Sequence, residues 1–590
     1  MTWQRMIPIV ALAASLATPA AARSTFDYYS THTTQPSVPG VLQSDEREYY
    51  RTVFAAIKAE QWPRVEELLG QKRDGPLHGV ARAQYYLAAT SPRIELPAIR
   101  DWLERWPHLP QAAQMRRLGE RRGAMAQDLP VLPRENTLVS LPQKSKRTRP
   151  SPVNDGTMPA NVAAAILEHI RNSNPDGARQ LLEGIDAGLS AEALAEWRQR
   201  VGWSYYIENN DAAALSMGEW ADEGRGAWVA EGAWTAGLAA WRMGDCERAA
   251  SLFERTAQRA YNPELAAAGY YWAARAHTRC RKPERVKELL KGAAAKDQTL
   301  YGMLATEQLG QNMPVTYAAA DFDRRDWNVL KDHANVRTAV GLVEIGEVDL
   351  ASIVLRHQAR IGDPKHYDAL TRMARAFGMP QTQIWMAYNA PQGGRPDPAS
   401  SYPVPKWRPV TGWRVDPALV YAHALQESNF RAEVVSPAGA RGVMQIMPAT
   451  ARQHAPSINM NGSVNELNDP QINMAFGQRT MEAMRDNPAT GALLPKVMAA
   501  YNAGLTPVAR WNSQIRDHGD PLTWMESIPY WETRGYVAIV MRNYWMYERQ
   551  AKAPSATRAA LAQNAWPGFP QIQGDGSIRV AAVSALLSEN

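Results

Sequence analysis

The chain has 590 residues, of which 45% are hydrophobic and 21% charged. That balance excludes a disordered or membrane-embedded polymer, and the length calls for two or more domains. Its 65 basic and 59 acidic side chains leave a formal charge of +6, too dilute for a nucleic-acid partner and compatible with a polyanionic one.

Arg5 precedes an apolar run from Met6 to Ala17, and Pro19-Ala20-Ala21-Ala22 supplies the small residues of a cleavage site. This is the pattern of a secretory signal peptide over residues 1–22, and the run is too short to span a bilayer. No cysteine stands near the cleavage site to carry a lipid. The expectation is an exported periplasmic protein starting near Arg23, with no transmembrane anchor.

From about 45 to 385 the sequence predicts helix after helix, rich in Ala, Leu, Glu and Arg, with apolar residues three and four apart. Aligning the turns exposes a repeat. Pro175-Asp176-Gly177, Asn210-Asp211, Gly244-Asp245 and Arg281-Lys282-Pro283 each precede an apolar helical stripe, and from Asp176 through Asp211 and Asp245 to Lys282 the steps are 35, 34 and 37 residues. That is the period of helical hairpins stacked into a superhelix, because one hairpin cannot bury its own stripe. Cys246 and Cys280 lie one repeat apart, either as a disulfide between neighbouring hairpins or as two unlinked thiols. No Cys/His cluster points to a metal, and nothing calls for a cofactor.

Two segments break the pattern. Residues 127–160 are rich in Pro, Lys, Arg and Ser and predict a flexible stretch. Residues 390–410 carry six prolines and two adjacent glycines and mark a boundary. The resulting division is a superhelical domain over 23–310, a helical linker domain over 311–398, a third domain over 399–555 and a loosely ordered tail over 556–590.

The third domain opens on Asp416-Pro417, an N-cap followed by proline at the first helical position. Val420, Ala424 and Glu427 then follow at i, i+4 and i+7, so a carboxylate continues an apolar stripe in the last turn of a helix. Burial and the negative end of the helix dipole both favour its protonated form. A carboxylic acid that keeps its proton near neutral pH is what protonating a glycosidic oxygen requires. His423, one turn earlier, has no partner legible in the sequence and reads as structural.

Downstream come Ser436-Pro437-Ala438-Gly439-Ala440-Arg441-Gly442-Val443-Met444-Gln445-Ile446-Met447-Pro448, then Asn468-Asp469-Pro470, Ala500-Tyr501-Asn502-Ala503-Gly504 and Ile528-Pro529-Tyr530-Trp531-Glu532-Thr533. Together with Glu427-Ser428-Asn429-Phe430, this ordered set resembles the catalytic domain of the soluble lytic transglycosylases, which have a goose-lysozyme-like fold. The motifs span about 420–545, and the upstream repeats resemble the ring-forming superhelix of the large members. The fold expected is therefore mainly α: a ring-like α-superhelical solenoid followed by a lysozyme-like α-rich catalytic domain. Val443 stands where Leu is usual, and Asn468 where an apolar residue is usual. Asp469 reads as the N-cap of the helix that follows it.

The resemblance implies Glu427 as the acid and then base of catalysis, with Tyr501 beside it. It implies Ser436, Gly442, Gln445 and Met447 in the glycan groove, and Glu532 as an acidic residue deeper in the site. Asn502 adds an amide suited to sugar hydroxyls and acetamido groups. The activity implied is non-hydrolytic cleavage between N-acetylmuramic acid and N-acetylglucosamine in peptidoglycan, leaving 1,6-anhydromuramyl ends. The alternatives are a hydrolytic muramidase on the same fold and a non-catalytic peptidoglycan-binding scaffold. The expected partners are glycan strands, with other cell-wall enzymes as candidates for the solenoid.

Overall fold

The computed structural model describes residues 24–32, 38–72, 74–313, 321–572 and 578–579. The expected signal segment 1–22 lies outside them. Twenty-eight α-helices, several short 3-10 helices and two short two-stranded pairs make up the regular structure of the described residues.

The repeat visible in the sequence is a repeat of turns. Helices Pro175–Glu183, Asp211–Asp222, Cys246–Arg259 and Pro283–Ala294 each start within or directly after one of the aligned turns. Each turn is entered through a residue in the left-handed region, Ser173, Asn209, Gly244 or Arg281. In the first three a side chain then caps the next helix. Asn174 accepts from the Gly177 amide, Asn210 from the Ala213 amide and Asp245 from the Arg248 amide. Glu60, Gly346 and Gly378 repeat the left-handed entry before helices Trp62–Gln71, Val348–Ile361 and Pro380–Tyr388, so the hairpin device extends beyond the four turns that align by sequence. Cys246, at the start of one hairpin helix, is disulfide-bonded to Cys280 at the end of the next.

The buried apolar residues divide differently from the boundaries read in the sequence. One core joins residues 42–129 to residues 322–390, and a second joins 166–313 to 402–569. The segment expected as a separate linker domain, 311–398, therefore shares its interior with the first helices of the chain. Glu344, ending the helix Ala334–Glu344, makes that return: its carboxylate accepts from the Val41 and Leu42 amides at 3.1 and 3.0 Å and pairs with Arg47 at 3.1 Å. Contacts between residues about 300 apart cannot be read from local periodicity.

The segment expected to be flexible is a strap. Leu138–Ser140 pairs antiparallel with Asn389–Pro391. Lys144 donates to the Ser401 carbonyl at 2.9 Å, and Ser145 donates to Glu264 at 3.0 Å. Arg147 lies between Glu231 and Glu526, at 3.1 and 3.0 Å, and the Trp228 indole donates to the Ser151 carbonyl at 3.0 Å. The strap has no apolar periodicity because ion pairs and carbonyls hold it, and its acidic partners lie 84 and 379 residues away. The tail differs as well. Ala556–Ala562 is a helix with Thr557 and Leu561 buried, and Phe569 is also buried.

Replacing Arg147 by Ala leaves two buried carboxylates without their cation and is expected to cost about 3–5 kcal/mol. Arg147→Lys recovers only part of this, because an ammonium cannot hold two carboxylates with a planar fork. Urea unfolding of the wild type and the two variants measures both effects. An Arg147→Ala variant as stable as the wild type would restore the flexible-linker reading.

Candidate active site

The site is assembled around the helix Pro417–Ser428, whose first residue is fixed by Asp416. That carboxylate is wholly buried. It accepts from the Ala418 amide at 3.0 Å, from the Thr25 hydroxyl at 2.7 Å and from the Tyr544 phenol at 2.7 Å. The helix is buried over Pro417–Leu425 and stops where Asn429 and Phe430 both enter the left-handed region, with φ of 52° and 60°. Asn tolerates that conformation and serves as the C-cap. Ser428, also buried, donates to the Val443 carbonyl at 2.7 Å and ties the helix end to the following loop.

Glu427 therefore sits at the carbonyl end of a buried helix. The Tyr536 phenol donates to its Oε1 at 2.6 Å, and the His423 Nδ1 lies 2.8 Å from the same phenol oxygen. Burial raises the Glu427 carboxyl to about 7; the Tyr536 hydrogen bond opposes that rise and the charge of Glu532 adds to it. Burial likewise pushes the His423 imidazole down to about 3, so it is neutral. A phenol has one hydrogen. When Tyr536 donates to the carboxylate, His423 must donate from Nδ1 to Tyr536, and the tautomer is thereby fixed. His423, read from sequence as lacking partners, is in fact the second link of a chain that ends on Glu427.

The other expected site residues divide between those near Glu427 and those that build the loop beside it. Tyr501 packs on His423 with ring centroids 4.7 Å apart, and its phenol donates to the Met444 carbonyl at 2.9 Å rather than to Glu427. Glu532 is exposed, in the first turn of the helix Trp531–Gln550. Its charge nonetheless acts on Glu427. Asn502 accepts from the Thr533 hydroxyl at 2.6 Å, joining the end of helix Leu494–Ala503 to that same first turn.

Ser436, Gly442, Gln445 and Met447 belong to the loop from 434 to 447. The Ser436 hydroxyl accepts from the Ala440 amide at 3.0 Å. Gln445 donates its amide to the Val434 and Gly442 carbonyls at 3.2 and 2.9 Å. Gly442 has φ of +77°, and a Cβ there would stand 2.3 Å from the Leu467 carbonyl and 2.2 Å from the Asn473 amide, so no other residue fits. Met447 is 40% exposed and offers an apolar surface at the loop's end. Asp469 caps the helix Pro470–Arg485 by accepting from the Gln471 and Ile472 amides.

Sequence reasoning missed Tyr536 and Asn473. Asn473 is fully buried; it accepts from the Met444 amide at 2.8 Å and donates to the Arg441 and Leu467 carbonyls, both at 2.9 Å. Tyr536 did carry a signal, since it lies one helical turn after Glu532 and shares its face. Among the described residues no group of three His, Cys, Asp or Glu is placed to hold a metal ion.

Comparison with known proteins falls on this region. The family model of the transglycosylase SLT domain matches residues 409–522. The soluble lytic murein transglycosylase of Escherichia coli strain K12 is 35% identical over 136 residues, covering 23% of this chain and 21% of that protein. The match thus spans about a fifth of the soluble relative's length. The endo-type membrane-bound lytic murein transglycosylase A of Klebsiella pneumoniae strain 342 is 34% identical over 141 residues, covering 22% of this chain and 70% of that protein. A solved complex of the 70-kDa soluble lytic transglycosylase with bulgecin A aligns over 88% of this chain and 99% of that one, with a TM-score of 0.55 at 18% identity. The fold is thus the α-superhelix with a lysozyme-like domain, and the chain belongs to the lytic murein transglycosylases of the SLT family.

Glu427 is expected to titrate near pH 7, and Tyr536→Phe to move that midpoint upward, because the variant loses the donor that favours the carboxylate. Carbon-13 NMR of labelled glutamate, with Glu427→Gln to assign the signal, reads both. The folded carboxyl holds its proton more tightly than an unfolded one near 4.5. The stability contribution of this group is therefore expected to fall as pH rises from about 4.5 through about 7. A midpoint in the ordinary carboxylate range in the wild type would contradict the burial argument.

Proposed function

We propose that this member of the lytic murein transglycosylases cleaves the β-1,4 bond between N-acetylmuramic acid and N-acetylglucosamine in peptidoglycan without water, leaving 1,6-anhydromuramyl ends. Glu427 acts first as acid and then as base. Its carboxyl gives a proton to the glycosidic oxygen as the C1–O bond breaks and the bonding pair leaves with that oxygen. The substrate's own acetamido carbonyl oxygen bonds to C1. The Glu427 carboxylate then takes the proton of the C6 hydroxyl, O6 bonds to C1, and the acetamido oxygen departs. No water and no second protein carboxylate enters the balance.

The observation that carries this reading is the carboxyl of Glu427 held near 7 by burial, a value at which both of its protonation states are accessible at neutral pH. Tyr536, donating at 2.6 Å, supports the carboxylate formed after the first transfer. Glu532 is a poor candidate for a second catalytic carboxylate, being exposed at a helix start. Tyr501, its hydroxyl occupied by the Met444 carbonyl, acts as a wall that keeps water from the acid. Ser436, Gly442, Gln445, Met447 and Asn502 shape the groove in which the glycan lies. No helix of the described residues is long and apolar enough to cross a membrane, and the periplasm is the proposed site of action.

The test is mass spectrometry of products released from bacterial sacculi by the purified protein and by Glu427→Gln. Anhydro-ended muropeptides from the wild type are expected, with at least a thousandfold loss in the variant, because removing the one acid also removes the one base. Reducing ends would make the protein a muramidase. No release by folded wild-type protein would leave the binding-scaffold reading.

A further inference from the structure

A cavity of about 150 Å³ lies where the solenoid, the strap and the start of the helix Trp531–Gln550 meet. Its walls carry four guanidinium groups, Arg147, Arg149, Arg200 and Arg534, set among the indoles of Trp203, Trp228, Trp234 and Trp531. Arg534 lies 4.1 Å over Trp203 and 4.9 Å over Trp531, and Arg149 lies 4.5 Å over Trp531. Guanidiniums held over indole faces by cation–π attraction can still donate N–H groups to a ligand, and little rotamer freedom remains to be lost on binding.

The charges do not balance. Arg147 is neutralised by Glu231 and Glu526, and Arg200 by Glu196 at 2.7 Å. Arg149 and Arg534 form no ion pair among the described residues; Arg534 donates to the Glu526 carbonyl and is only 7% exposed. Four cations thus face three carboxylates. In addition, the buried Nε of Arg147 and the indole Nε1 of Trp234 have no hydrogen-bond partner. A buried positive charge and unused buried donors are costly unless an anion completes them.

We propose that this cavity is a binding site for a monoanionic carboxylate, the chemistry shared by the C-terminus of a peptide and by free small organic acids. Arg149, at the exposed mouth, and Arg534, in the wall, supply the charge-assisted hydrogen bonds. Trp531 and Arg534 project from nearly the opposite flank of their helix to Glu532 and Tyr536, so the cavity lies on the far side of that helix from Glu427.

The experiment is isothermal titration calorimetry on the full chain carrying Glu427→Gln, so that cleavage plays no part and failure of the cleavage reading leaves the result intact. The probes are N-acetyl-D-alanyl-D-alanine, its C-terminal amide, acetate and inorganic phosphate. The acid dipeptide is expected to bind at least tenfold more tightly than its amide, and adding Arg149→Gln to weaken it about tenfold with unchanged thermal stability. Acetate binding as tightly as the dipeptide would support the site and assign it to free acids; weaker acetate would support it and assign it to peptide ends. Equal binding of acid and amide, tighter binding of phosphate, indifference to Arg149→Gln or no heat with any probe would overturn the proposal.

Discussion

A carboxyl group taken out of water keeps its proton only while nothing nearby stabilises the anion more than burial destabilises it, and the arrangement around Glu427 is built on that balance. The helix that delivers it is locked at both ends by one other helix. Tyr544 holds Asp416 at the start of Pro417–Ser428, and Tyr536 reaches Glu427 near its end. The two phenols are eight residues apart on Trp531–Gln550, and the pairing of 416 with 544 and 427 with 536 makes the helices antiparallel. Moving either helix along its axis would break both hydrogen bonds, so the position of the acid is set by the packing of a helix pair rather than by its own loop.

What fixes the second helix is the solenoid. The segment before it, residues 520–527, is held at successive points by helices of the repeats. Arg275 pairs with Asp520 at 2.6 Å, the Trp241 indole donates to Thr523 at 3.1 Å, Tyr301 donates to Glu526 at 2.7 Å, and Tyr206 meets Ser527 at 2.8 Å. Farther along the helix, Arg542 pairs with Glu264 at 2.9 Å. The solenoid and the strap therefore belong to the mechanical support of the site, and the shared core joining 166–313 to 402–569 follows from that. Such buried polar contacts specify one docking geometry, since each is costly to leave unmade.

What was legible in the sequence is what is local. The capping role of Asp416, the capping role of Asp469, the turns of the solenoid and the place of Glu427 at a helix end each depend on residues within one or two helical turns, and each is found as read. The strap was misread because its basic residues answer acids that are remote in the chain. His423 was misread for the same reason: its partner Tyr536 lies 113 residues away. The joint core of 42–129 with 322–390 is invisible to any local pattern. Tyr501 was placed beside the acid by resemblance, yet its hydroxyl is engaged by a backbone carbonyl, a detail that only packing decides.

These facts bear on how one group could serve in both directions. Burial alone would hold Glu427 protonated and leave it a good acid but an unwilling partner in losing its proton. Tyr536 moderates this by donating to the carboxylate, and the neutral imidazole of His423 keeps that phenol oriented without adding a positive charge. A protonated imidazole at the same point would stabilise the carboxylate too strongly and lower the acid toward its ordinary range. The deep burial of His423 thus has a consequence at Glu427: it removes a cation from the one place where a cation would undo the shift. Desolvation of the imidazole and desolvation of the carboxyl act together, each keeping its group neutral, and the phenol between them is the element through which the balance can move.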